Sequence, residues 1–242
     1  DYAGPTVAEH AFALLLAMTR QLEPTTATCR QGTFRRHPGF LGTELHGKTL
    51  GVWGTGSTGL AMLRIARAFG MRALAHSRTE RAELAQREGF CYVPFDALLA
   101  ESDMLSLHAP LTDETEHAFG EDAFARMKPG AFLVNTARGA LVQVPSVIRA
   151  LDVGRLAGYG LDALPSERIM ASPVAMRAEL QATEPTGHTL ALLQEAALLR
   201  HPRVVATPHT AFYTHEAMAR VVDQTLENIR AWIRGESLRR VV

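Results

Sequence analysis

Three apolar runs in this sequence end beside a residue that can carry charge or move a proton. "KPGAFLVNTARGALVQ" places Arg138 just past one run, "LAGYGLDALPSER" carries Asp162 and Glu167 past a second, and "VVATPHTAFYT" places His209 past a third. An imidazole titrates near neutrality, so it can give or take a proton. A carboxylate behind the ring, Glu167, would favour its charged form. The planar guanidinium of Arg138 can hold a carboxylate and polarise a carbonyl. Reducing a ketone puts hydride on carbon and negative charge on oxygen, which a proton donor and a cation both relieve. Singly, each residue has an ordinary explanation: Arg138 bracing a sheet edge, Glu167 a loop acid, His209 capping a neighbour. Three together at the ends of apolar runs point to a hydride-transfer site.

Hydride transfer needs a carrier, and "LGVWGTGSTGLAMLRIARAFG" supplies a cradle for one. Gly54-x-Gly56-x-x-Gly59 follows an apolar run and opens a helical pattern. The first glycine allows a tight turn, the second a close approach of backbone to a pyrophosphate, and the third close packing of helix on strand. The helix start then offers free amides and a partial positive charge. The next apolar run closes on Ser77 and Arg78, with no acid until Glu80. A carboxylate there would hold the ribose 2′-hydroxyl of NAD, whereas a small hydroxyl beside an arginine suits a 2′-phosphate. The cofactor is therefore NAD or NADP, with NADP favoured; otherwise Arg78 and Arg81 are a solvated helix start.

The elements that must position these groups follow from periodicity. From residue 49 short apolar runs alternate with helical patterns at 58–69, 79–88, 121–127 and 145–153, the last opened by Pro145. Continuous apolar runs joined by helices predict an α/β fold, a doubly wound and mostly parallel sheet, with ligands outside the carboxyl ends of the strands. Residues 6–22 read as an amphipathic helix capped by Thr6 with Glu9 reaching back. That helix shows more apolar surface than one sheet needs, which predicts a homodimer through it. Residues 23–48 read as partly irregular. Residues 215–233 are helical with Ala217, Val221, Leu226, Ile229 and Ile233 on the apolar side. The stretch 168–200 is long for a connection, so it is an excursion over the site or a helical insert.

Composition narrows the function classes. Of 242 residues 47% are apolar and 21% charged, with 25 basic and 25 acidic residues, the balance of a soluble globular domain. No basic stripe points to nucleic acid, and the apolar run 11–18 is too short to span a membrane. Cys29 and Cys91 are too few for a metal cluster or disulfide framework; buried thiols in a reducing, cytoplasmic setting are expected.

Together "VAEHAFALLLAMTR", "GTELHGKTLGVWGTGSTGLAM", "LHAPLTDETEHAF", "MKPGAFLVNTARGALV", "LAGYGLDA" and "TPHTAFYT" make the chain resemble the D-isomer-specific 2-hydroxyacid dehydrogenases, from residue 6 to about 235. The resemblance implies an NAD(P)-dependent oxidoreductase acting on a small D-2-hydroxy acid or 2-oxo acid. The family's catalytic Arg–Glu–His set falls on Arg138, Glu167 and His209, with the glutamate 29 positions after the arginine. Cofactor contacts fall on the glycine turn with Ser57 and Thr58, on Ser77, Arg78, His108, Pro110 and Thr136, and on Asp162 near the nicotinamide carboxamide. "HTAFYT" is similar to the D-lactate dehydrogenase branch and implies that Phe212 and Tyr213 line the substrate pocket. The chain departs from the family in lacking the acid after the second run, in having Gln143 where Asp is usual, and in a longer Glu167–His209 interval. Family members carry roughly a hundred residues ahead of the "VAEH" helix, most of a substrate lobe that this chain lacks. The implied division is a dinucleotide-binding domain at 1–212 and a helix at 213–242 returning toward that lobe. With an open cleft, cofactor binding is expected to survive better than turnover. Two other readings are a nucleotide-binding or corepressor-like module and a phosphite- or formate-type dehydrogenase, the latter because "GTFRRHPGFLGTEL" is similar to the phosphite branch.

Overall fold

A computed structural model describes residues 3–181 and 186–236. It opens with α1 (Gly4–Thr19) and α2 (Leu22–Arg30), followed by β1 (Thr49–Trp53), α3 (Ser57–Ala68), β2 (Arg72–His76), α4 (Ala82–Glu88), β3 (Cys91–Tyr92) and α5 (Phe95–Glu101). Next come β4 (Met104–Leu107), α6 (Glu121–Arg126), β5 (Ala131–Asn135), α7 (Val144–Asp152) and β6 (Leu156–Leu161). Then α8 (Glu167–Met170), α9 (Pro173–Leu180), α10 (Gly187–Leu199), β7 (Val204–Ala206) and α11 (His215–Ile233) complete the described chain.

The seven strands form one parallel sheet in the order β3-β2-β1-β4-β5-β6-β7. The order reverses between β1 and β4, and in such a sheet the crevice at the reversal is where a ligand sits. All five residues of β1 and of β5 are buried, as strands covered on both faces must be. One apolar layer places Leu50, Val52, Met104 and Val134 against α1 and α3 through Leu15, Met62 and Leu63. The other places Trp53, Leu105, Leu133 and Tyr159 against Phe119, Phe124, Val147, Leu151 and Leu198.

The structure corrects several expectations. The helix predicted at 6–22 is α1, and the chain leaves it at Gln21, whose φ of 50° lies in the left-handed region. Thr6 does not cap it. The helix starts after Ala3 with Pro5 in its first turn, and the buried Thr6 hydroxyl accepts from the Arg220 guanidinium instead. The apolar side of α1 (Ala8, Ala11, Phe12, Leu14, Leu15, Met18) is buried inside the chain, against the sheet and α3. The apolar side of α11 is the reverse case: Ala217 is buried, but Leu226, Ile229 and Ile233 are exposed. Both cysteines are exposed rather than buried; β3 is a two-residue edge strand, and Cys91 faces outward from it. The segment 168–200 is helical, comprising the end of α8, α9 and α10, with residues 182–185 outside the described residues. Residues 237–242 of the predicted C-terminal segment also lie outside them.

Candidate active site

The carboxyl edge of the sheet is built by its strand ends. At β1 the chain turns through Gly54, whose φ is 99° and whose missing Cβ would lie 2.7 Å from the Ala109 amide and the His108 carbonyl. A Cβ on Gly59 would fall on the Gly54 carbonyl oxygen, well inside van der Waals contact. Gly56, by contrast, faces open space. A closed inner wall with an open rim at the start of α3, beside Ser57 and Thr58, fits an approaching pyrophosphate. Thr55 is held beneath it, its hydroxyl 3.0 Å from the Tyr92 hydroxyl and its carbonyl accepting from the Arg81 guanidinium.

The other predicted cofactor contacts lie along the same edge. Ser77 is half-buried at the end of β2 and Arg78 is exposed beside it. His108, after β4, has its Nε2 2.8 Å from the Ser106 hydroxyl, and burial lowers its pKa to about 3, so the ring is neutral at physiological pH. Pro110 is exposed two residues on. The Thr136 hydroxyl, after β5, is a buried oxygen without a partner among the described residues, as expected of a group waiting for a ligand.

Beyond β5 the loop is set by Asn135. Its side chain accepts from the Ala137 amide at 3.0 Å and donates to the Arg138 carbonyl at 2.9 Å. Arg138 itself is exposed, and its guanidinium donates to the Ala137 carbonyl at 2.9 Å. The next residue, Gly139, lies directly beneath the Leu164–Pro165 backbone, where a side chain would collide. The Arg138 loop thus touches the strip that leads into Glu167.

The Glu167–His209 pair forms as the sequence predicts. His209 Nδ1 lies 3.0 Å from a Glu167 carboxylate oxygen. A carboxylate only accepts, so Nδ1 carries the hydrogen and Nε2 is left to exchange a proton. Phe212 meets the ring edge-on at 5.9 Å, while Tyr213 is 68% exposed. Both members of the pair also border a largely apolar cavity of ≈ 510 Å³ with Leu161, Leu164, Met170 and Leu199 in its wall.

What holds His209 in place is a group read from sequence only as a cofactor contact. His209 has a φ of 56°, a conformation that costs a non-glycine residue of the order of 1–3 kcal/mol. Asp162 secures it. Its backbone carbonyl accepts from the His209 amide at 3.0 Å, and its carboxylate accepts from the Thr210 and Ala211 amides at 2.9 and 2.8 Å. The Thr207 hydroxyl also donates to that carboxylate and lies 2.8 Å from His10 Nε2 on α1. Sequence reading missed His10, Thr207 and Asn135, and took Arg81 only as part of a solvated helix start, whereas its guanidinium donates to the Thr55 carbonyl. Of these only His10 left a local signal, a polar side chain at the head of the apolar stretch "AFALLLAM".

Residues 12–211 match the family model described as D-isomer specific 2-hydroxyacid dehydrogenase, NAD binding domain. The chain belongs to this family. A glyoxylate reductase of Thermococcus litoralis is 38% identical over 235 residues, 95% of this chain and 64% of the relative. A D-lactate dehydrogenase of Curvularia clavata is 35% identical over 238 residues, 97% of this chain and 64% of the relative. The crystal structure of a D-lactate dehydrogenase from Aquifex aeolicus, complexed with NAD and lactic acid, superposes with a TM-score of 0.85 at 33% identity, covering 98% of this chain and 68% of that one. The chain therefore spans a little under two thirds of the curated relatives it matches.

Proposed function

We propose that this chain is the dinucleotide-binding part of an oxidoreductase that moves hydride between a nicotinamide dinucleotide and a small D-2-hydroxy acid or its 2-oxo counterpart. The Glu167–His209 hydrogen bond on the edge that carries the glycine turn is the observation behind this reading. When bound, the nicotinamide supplies or accepts the hydride. The glycine turn and the start of α3 hold the pyrophosphate, and Thr136 contributes its unpartnered hydroxyl. His209 Nε2 gives a proton to the developing alkoxide in reduction and takes it back in oxidation. Glu167 fixes the ring orientation and stabilises the imidazolium. Arg138, exposed one loop away, holds the substrate carboxylate and polarises the carbonyl, with Phe212 and Tyr213 along the substrate pocket. The names of the relatives, glyoxylate reductase and D-lactate dehydrogenase, support a short 2-oxo acid as substrate.

NADP is the cofactor this reading favours. The end of β2 presents Ser77 and Arg78 and no carboxylate, and Arg81 adds a second guanidinium on the Thr55 carbonyl of the glycine turn. The domain division is part of the same proposal: residues 1–212 bind the dinucleotide, and 213–242 return toward a substrate lobe.

Substituting His209 by Gln separates this enzyme from a nucleotide-binding module. Affinity for NADH and NADPH, read by fluorescence titration, is expected to stay within twofold. Reduction of glyoxylate or pyruvate is expected to fall by about 10²–10⁴-fold, the usual worth of a general acid. Equal turnover in the two proteins would remove His209 from the chemistry.

A further inference from the structure

Asp162 and Glu195 are the two buried acids among the described residues, 3% and 1% exposed. Asp162 is accounted for by the His209 loop. Glu195 takes no part in the reaction above, yet an acid in an apolar interior costs free energy unless its oxygens are bonded. It lies on α10, in the long segment between Glu167 and His209, where that helix packs on α7 and β7.

One Glu195 oxygen accepts from the Ser166 amide at 3.1 Å, and the other is buried without a partner among the described residues. Ser166 is itself buried and is the residue from which α8 starts, with Glu167 first in that helix. Its carbonyl accepts from the Ile169 and Met170 amides at 3.0 Å. The peptide ahead of Glu167 is therefore held on one side by the helix it begins and on the other by Glu195. The strip 164–166 lies between two supports: Gly139 of the Arg138 loop presses on Leu164–Pro165, and α10 holds Ser166. Burial raises the Glu195 carboxyl above its usual range, the bonds from Ser166 oppose that rise, and the charge of Glu167 adds to it.

We propose that Glu195 is a positioning residue for the Glu167–His209 pair: by accepting from the Ser166 amide it fixes the first turn of α8, and with it the point from which Glu167 reaches Nδ1 of His209. The consequence for turnover rests on the dehydrogenase reading above; the geometric link does not.

The test reads the His209 ring directly. In protein labelled with ¹⁵N-histidine, the His209 signals are identified by their absence in His209→Gln. Wild type is expected to show the single Nδ1–H tautomer, and Glu167→Ala a mixture. Glu195→Leu is expected to shift His209 toward the Glu167→Ala mixture. Glu195→Gln, whose amide oxygen still accepts from Ser166, is expected to keep the wild-type spectrum. Glu195→Asp, one methylene shorter but as polar, is expected to move partway and decides the matter if the Leu variant does not fold. Wild-type spectra in both Leu and Asp variants, or loss of the single tautomer in Gln, would overturn the proposal. In the same samples kcat for glyoxylate is expected to drop roughly tenfold in Glu195→Leu with KM unchanged. A wild-type chain that binds neither NADH nor NADPH would end the dehydrogenase reading and leave the ring spectra to decide Glu195.

Discussion

The glycine turn after β1 and the histidine loop after β7 share one edge of one sheet but are built in different ways. The turn is made of local backbone: Gly54, Gly56 and Gly59 within six residues, shaped by the absence of side chains. The histidine loop is made of distant side chains. Asp162 lies 47 positions before His209 and holds the loop amides; Thr207 ties that carboxylate to His10 on α1; Glu167 comes from α8. A phosphate cradle needs room and amides, which a short motif provides. A proton-transfer group needs an aimed ring, which takes supports from several elements.

The sharpest way to break this contrast is inside the turn. Gly59→Ala would place a methyl group on the Gly54 carbonyl, and two backbones cannot relieve that by changing rotamer. We expect a loss of the order of 3 kcal/mol or more in stability, with cofactor binding lost alongside it. Gly56→Ala adds the same methyl in open space, so its urea midpoint is expected to match wild type while affinity for NADPH and NADH falls. If both variants unfolded like wild type, the turn would not be the close-packed element described.

The histidine loop should fail differently. Asp162→Ala removes the acceptor of the buried Ala211 amide and the part-buried Thr210 amide, at about 1–3 kcal/mol for each orphaned group. The damage is expected to be local. Hydrogen exchange at residues 209–211 should speed up by more than tenfold while the core strands β1 and β5 keep their protection. Uniform loss of protection across the sheet would mean that Asp162 is a general core residue and not an anchor of the loop.

The same division governs what could be read in the sequence. Strand and helix alternation, the glycine turn and the Arg138, Glu167 and His209 positions were legible because each is a short pattern. Periodicity identifies the apolar face of an element but not what covers it. The apolar side of α1 lies against the sheet and α3, whereas that of α11 leaves Ile229 and Ile233 exposed, and the pattern of the two sequences does not tell them apart. Asp162 was legible as an acid at a strand end, but its bonds to Thr210 and Ala211 cross 48 and 49 positions. Glu195 left no signal at all, since nothing local distinguishes a buried glutamate in "LLQEAALL" from a solvated one.

A smaller effect sharpens the comparison from the side of the turn. His108 abuts Gly54, and burial lowers its pKa from 6.5 in the unfolded chain to about 3. Between those values the unfolded chain binds a proton that the folded one refuses. The contribution of His108 to stability is therefore fully present above pH 6.5 and is lost as pH falls toward 3, with a slope of at most about 1.4 kcal/mol per pH unit. Other groups titrate in the same range, so the quantity to compare is the difference between wild type and His108→Asn. From pH 7 to pH 5 wild type is expected to lose about 2 kcal/mol more than the variant in urea unfolding. Parallel losses would mean that the imidazole is solvated and protonates freely. The turn would then be supported by a titrating side chain and would lose its contrast with the histidine loop.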